Sequence, residues 1–159
     1  MNTAVIYSSK YGCTIDCANY IKAGLPAKVT LVNIDTTNSQ SIDLEMYDTI
    51  ILGSSIYIGA ISKKMRTFCK ERMDLLSRKK VGLFLCCAYP EEAAEYFSKN
   101  FPPALLKNAV AVKEFGGEAR IEKMNTIDKL IMKAVTKGNR DSLKLLYENM
   151  DCFIRELSN

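Results

Sequence analysis

Five short apolar runs punctuate the chain; helical spacing of apolar residues follows the first, third, fourth and fifth, and the turn-rich "DTTNSQS" follows the second. The runs are Thr3 to Ser8, Lys28 to Ile34, Tyr47 to Ser55, Lys80 to Cys87, and Ala109 to Gly117. The first run, Thr3 to Ser8, is rich in β-formers throughout, as a strand buried on both faces should be. After the first run, Ile15, Ala18, Ile21 and Leu25 predict a helix starting at Thr14, stopped by Gly24 and Pro26. Met65, Phe68, Cys69, Met73 and Leu76 mark a second helix, and Pro90 opens another over "EEAAEYFSKNF". Met124 to Val135 predicts an additional helix, and Leu143, Leu146, Tyr147, Met150, Phe153, Ile154 and Leu157 form the stripe of the last.

Strands separated by helices imply crossover connections and a parallel sheet. Five strands suit the doubly wound order 2-1-3-4-5 as a single domain over residues 1–159, an α/β three-layer sandwich. The ligand site of such a sheet lies beyond the carboxyl ends of its strands, at the switch between the first and third. The loops expected there are "SSKYGCT" (Ser8 to Thr14), "GSSIYIGA" (Gly53 to Ala60) and "CCAYPEE" (Cys86 to Glu92).

The first loop feeds a helix N-terminus, where unpaired N–H groups and the helix dipole favour an anion. Ser9, Lys10, Tyr11, Gly12, Cys13 and Thr14 offer backbone amides, and Ser9 and Thr14 add hydroxyls. Lys10 either adds a compensating charge or points to solvent. The spacing is neither a Walker loop nor Gly-x-Gly-x-x-Gly. On spacing alone, an anion cradle and a polar turn with a Thr cap both fit. The second loop brings Ser54, Ser55, Ile56, Tyr57, Ile58 and Gly59, and the third brings Cys87, Ala88 and Tyr89. Tyrosines on converging loops offer faces for a planar ring, although each also reads as loop packing.

The chain carries no histidine, which removes the usual metal ligand and the usual general base near neutral pH. Its six cysteines fit a reducing compartment. Cys13 and Cys17 lie one helical turn apart with no third cysteine close in sequence, and they read as packing residues, as does the pair Cys86–Cys87. No metal site is expected. The start lacks the basic and long apolar regions of a signal peptide, and no apolar run is long enough to span a membrane, so a cytoplasmic protein is expected.

These loops resemble the flavodoxin family over essentially the whole chain. "SKYGCT" (Ser9 to Thr14) matches the family's Ser/Thr-x-x-Gly-x-Thr loop, which binds the FMN phosphate. More narrowly, "YSSKYGCT", "YDTIILGSSIYIGAISKKM" and "GGEARIEKMNTIDKLIMKAVTKG" resemble the flavodoxin-type, menaquinone-dependent protoporphyrinogen IX dehydrogenases. The resemblance implies noncovalent FMN, with phosphate on Ser9 to Thr14 and the ring between the Gly53–Gly59 and Cys86–Tyr89 loops. It also implies stacking by Tyr57 and Tyr89, with Ile56 and Ile58 as rivals, and a Gly59 carbonyl that turns toward reduced flavin. The flavin carries the chemistry, so no catalytic side chain is assigned; a flavin-free binding or regulatory module on the same fold stays open as an alternative. The chain departs from the subgroup's bacterial enzymes, which carry a long insertion after the fourth strand.

Net charge is +4, whereas electron-carrying flavodoxins are usually strongly acidic. Residues 63–80 hold eight Lys or Arg against two acids, and residues 120–144 hold seven against three. Such faces fit an acidic redox partner protein, an anionic porphyrin, a quinone at a lipid surface, or plain solvation. Nucleic acid is not an expected partner. In the additional helix, Ile127, Leu130, Ile131 and Ala134 lie opposite Lys129, Lys133 and Lys137, fitting either packing on the sheet or peripheral membrane contact.

Overall fold

A computed structural model describes residues 1–118, 120–136 and 143–159. The strands are β1 (Asn2–Ser8), β2 (Lys28–Asn33), β3 (Thr49–Ser55), β4 (Lys80–Cys86) and β5 (Ala109–Glu114). They form one sheet in the order β2-β1-β3-β4-β5, with every pairing parallel. The helices are α1 (Cys13–Gly24), α2 (Lys63–Glu71), α3 (Met73–Leu76), α4 (Ala93–Asn100), α5 (Pro103–Asn108), α6 (Thr126–Thr136) and α7 (Tyr147–Ser158). Order, direction and layering agree with the expected doubly wound sheet.

The double burial read for the first run holds for the central strands β1, β3 and β4. It follows from the pleat, which sends successive side chains to opposite faces. The edge strands β2 and β5 are only partly buried. Ala4, Ile6, Ile50, Leu52, Leu83 and Leu85 pack with Met65, Phe68 and Cys69 of α2 and with Phe97 and Leu105 of α4 and α5. Val5, Tyr7, Ile51, Phe84 and Cys86 face the other way, onto Cys17, Ala18 and Ile21 of α1 and Met150, Phe153 and Leu157 of α7. On that second face three rings interlock. Phe84 stacks on Phe115 at 4.8 Å, and Phe153 meets Phe115 edge-on at 5.3 Å.

Several boundaries differ from the expectation. The last helix begins at Tyr147, not Leu143. Leu145 bridges Gly116, and the Leu146 N–H donates to the Phe115 carbonyl at 2.9 Å, so the chain stays extended there. β5 ends at Glu114 because Gly116 adopts φ 68° and turns the chain, although its carbonyl still accepts from the Cys87 N–H. The single helix expected from Met65 to Leu76 breaks at Arg72 into α2 and α3. Pro90 opens a 3-10 turn before α4, and α5 was not anticipated. Lys137 lies outside the described residues.

Gly53 shows how tightly the second face is filled. A Cβ there would sit 2.0 Å from Cζ of Phe84, inside the ring's own volume. Gly53→Ala should therefore destabilise by about 1–3 kcal/mol through overpacking. Urea unfolding checks this as a lowered midpoint with an unchanged slope.

Candidate functional site

Beyond the carboxyl ends of β1, β3 and β4 lies a cavity of about 180 Å³. Thirteen of the fifteen residues expected at the site line it: Ser9, Lys10, Tyr11, Cys13, Thr14, Ser55, Ile56, Tyr57, Ile58, Gly59, Cys87, Ala88 and Tyr89. Gly12 and Ser54 are not on its wall. Gly12 shapes the loop from behind, in the left-handed conformation at φ 96°. Ser54 is fully buried and belongs to the frame instead: its hydroxyl donates to the Ser55 carbonyl at 3.2 Å and accepts from the Ser62 N–H at 3.4 Å.

The loop after β1 is stiffened by its own polar groups. The Ser8 hydroxyl and the Ser9 N–H both donate to the Asp35 carboxylate, at 2.9 Å, and the Gly12 N–H donates to Ser9 Oγ at 3.0 Å. Gly12 is the N-cap of α1, and no side chain caps that terminus. The first-turn N–H groups of α1 therefore have no helical acceptor and face the cavity. Thr14 Oγ1 and Tyr11 Oη are buried there without a partner among the described residues. Buried polar groups rarely stay unpaired, so this end of the cavity is shaped for an acceptor supplied from outside.

Arg120 adds positive charge to the loop. Its guanidinium reaches within 2.8 Å of the position a Gly12 Cβ would take, and Lys123 Nζ within 3.6 Å. Arg120 is ion-paired to Asp16 in the first turn of α1 and to Glu118 at 3.1 Å. Neither Arg120 nor Asp35 was apparent from sequence spacing. Asp35 becomes legible only once β2 is known to lie beside β1, where Tyr7 pairs with Asn33.

Lys10 is exposed along its side chain, yet its ammonium is engaged. Its ammonium lies 3.1 Å from an Asp128 oxygen and 3.3 Å from the centroid of the Tyr57 ring. The Tyr57 hydroxyl donates to the other Asp128 oxygen at 2.5 Å. Asp128 is only 4% exposed and sits on α6, which therefore forms part of the cavity rather than merely coating the sheet. The expected apolar packing face of α6 is mostly outside: Ile127 is 68% exposed, Leu130 is 64% exposed, and Ala134 is also exposed. Ile131 alone of that set turns inward, onto the cavity. Exposure of Ile58, at 72%, adds to the apolar rim.

The loop after β3 closes as a tight turn, with Tyr57 and Ala60 exchanging backbone hydrogen bonds at 2.9 and 3.1 Å. Its central residues, Ile58 and Gly59, have φ of 48° and 72°. Two positive φ values define a mirror-image turn that glycine accepts and a β-branched residue resists. The Gly59 carbonyl accepts from Asn100 Nδ2 at 3.1 Å, so turning that carbonyl inward first breaks this bond. Strain of this kind concentrates at ligand sites. Ile58→Asn should relieve it and raise stability by about 0.5–1 kcal/mol, since Asn tolerates the left-handed region and Ile58 gives up little buried surface. Thermal unfolding reads the difference.

Comparison with known proteins places this geometry. A family model described as a flavodoxin domain matches residues 4–144. No curated protein matches. Among solved structures, a flavodoxin of Streptococcus pneumoniae TIGR4 superposes with a TM-score of 0.59 at 16% identity, covering 99% of this chain and 98% of that one. A flavoprotein in complex with FMN from Lactobacillus acidophilus gives a TM-score of 0.54 at 18% identity, over 71% of this chain and 92% of that one. The flavodiiron core of Flv1 from Synechocystis gives 0.60 at 21% identity over 99% of this chain, which spans only 36% of that longer protein. Likenesses at these identities establish the shared fold, and with the family match over most of its length the chain belongs to the flavodoxin domain family.

Proposed function

We propose that the chain binds one FMN noncovalently and passes electrons through it. The observation that carries this reading is the unpartnered Thr14 hydroxyl, buried beside the uncapped N-terminus of α1 in a loop that already holds Gly12 at φ 96°. A phosphate oxygen satisfies that donor and the first-turn N–H groups together. Arg120 stands beside Gly12, ion-paired to Asp16 and Glu118. Bound FMN would supply the one- and two-electron chemistry, and the protein's part is to hold and tune it. Tyr57 on one wall and Tyr89 on the other offer aromatic faces to a flat ring. The cavity is smaller than the roughly 300–1,000 Å³ usual for ligand pockets. Tyr57 and Asp128 bridge its mouth, so seating a ring opens their hydrogen bond.

Purified protein should show flavin absorbance or quench FMN fluorescence on addition. Thr14→Ala should weaken FMN by about 1.5–3 kcal/mol, or about 10- to 150-fold, and leave riboflavin, which lacks the phosphate, nearly unchanged. Equal affinity of wild type and variant for FMN would remove the phosphate assignment.

A second reading is the subgroup's activity, oxidation of protoporphyrinogen with a quinone acceptor. What favours it is the exposed apolar pair Ile127 and Leu130 on a helix that also presents Lys129 and Lys133, beside the cavity mouth. A basic, apolar rim suits an anionic macrocycle and peripheral contact with the lipid that carries a quinone. No described helix is long and apolar enough to cross a membrane. This reading predicts anaerobic flavin bleaching by protoporphyrinogen and flotation with anionic liposomes. A flavin spectrum unmoved by protoporphyrinogen leaves electron transfer to a redox protein as the function.

A further inference from the structure

Cys13 and Cys17 lie one turn apart on α1, and the fold brings a third thiol to them from the end of β4. The three sulfurs of Cys13, Cys17 and Cys86 all lie within 4.8 Å of one another, with Cys17 and Cys86 at 3.6 Å. All three residues are buried, Cys17 completely. Metal–sulfur bonds of about 2.3 Å set three sulfurs about 4.0 Å apart around a central ion, so the cluster is near ligating geometry before anything binds. We propose that Cys13, Cys17 and Cys86 form a three-coordinate thiolate site for a soft d10 cation, of which Cu(I) is the member that suits a reducing environment.

The choice of ion follows from the donor set. Structural zinc takes four ligands, and no fourth ligating group joins these three among the described residues. Iron–sulfur clusters likewise need four protein ligands. Soft thiolates without nitrogen or oxygen partners select Cu(I). The charge is also in place. Cys13 is the first residue of α1, at the positive end of its dipole. Each thiol that ligates as thiolate releases its proton to solvent, so a metal–sulfur bond replaces each S–H bond. Access is from the cavity, which Cys13 and Cys86 both line. The site therefore lies in the floor of the cavity assigned to FMN, so the metal reaches it when the cavity is free of flavin.

The test uses the full chain under anaerobic conditions with Cu(I) supplied as its bicinchoninate complex. The chain should withdraw one equivalent and bleach the complex accordingly. Cys13→Ser should lower the affinity at least 100-fold, whereas Cys69→Ser, in the core on the opposite face of the sheet, should leave it unchanged. X-ray absorption on the copper-loaded wild type, which needs no variant to fold, should show three sulfur neighbours at about 2.3 Å. Absence of transfer, transfer that survives in a folded Cys13→Ser, stronger retention of Zn(II) than of Cu(I), or a shell of fewer than three sulfurs would each overturn the proposal.

Discussion

β1 pairs with β3 on one side and β2 on the other, and nearly everything else in the molecule follows from that double pairing. Because both neighbours run parallel to it, the connections leaving β1 and β3 depart to opposite faces, α1 to one and α2 to the other. No element can fill the gap between them. The loop after β1 and the loop after β3 must therefore stand apart over a crevice, and β4 supplies its far wall through Cys87, Ala88 and Tyr89. The register is held by apolar side chains on both faces of the three central strands, β1, β3 and β4. A one-residue slip would exchange the α1 side for the α2 side and destroy both cores.

The same constraint explains the electrostatics. A helix that starts directly at the end of a buried strand exposes its first N–H groups at the crevice. The chain leaves them without a side-chain cap and surrounds them with balanced charges. Asp35 braces the loop from β2, while Arg120 reaches in from the segment before α6. Asp16 and Glu118 hold Arg120 in place, which limits the entropy lost when an anion arrives. Across the crevice Lys10 is committed to Asp128 and the Tyr57 ring. The basic group that the tertiary structure adds beside Gly12 is Arg120, distant in sequence and already paired to Asp16 and Glu118.

That displacement marks the boundary of what the sequence discloses. Strand order, the buried runs and the loops bearing Ser9 to Thr14, Ser55 to Gly59 and Cys87 to Tyr89 are legible because each depends on local pattern and on the handedness of crossovers. Asp128 was hidden within an amphipathic helix whose apolar stripe fitted either packing on the sheet or contact with a membrane. The tertiary structure instead turns Ile127 and Leu130 outward and Asp128 into the cavity. Periodicity identifies a helix but not which face the remainder of the chain leaves available. Leu143 and Leu146 fail for a related reason: their spacing is helical, yet backbone hydrogen bonds to Phe115 and Gly117 hold that stretch extended. Ser54 looked like its neighbour Ser55, and only the pleat separates a frame hydroxyl from a wall hydroxyl.

Where local preference and the observed backbone disagree, the disagreement falls on the crevice. Ile58 in a left-handed turn costs of order 1–2 kcal/mol, and a less branched residue would avoid that cost. The three thiols behave similarly. Cys13 and Cys17 alone are unremarkable packing, but Cys86 arrives because β4 is the strand that must lie beside β3, and its side chain points to the α1 face. The sheet topology that makes the crevice also gathers the three thiols, directly beneath the cradle at the N-terminus of α1. Cradle and thiol cluster thus share one physical origin, the meeting of the first turn of α1 with the carboxyl ends of the strands.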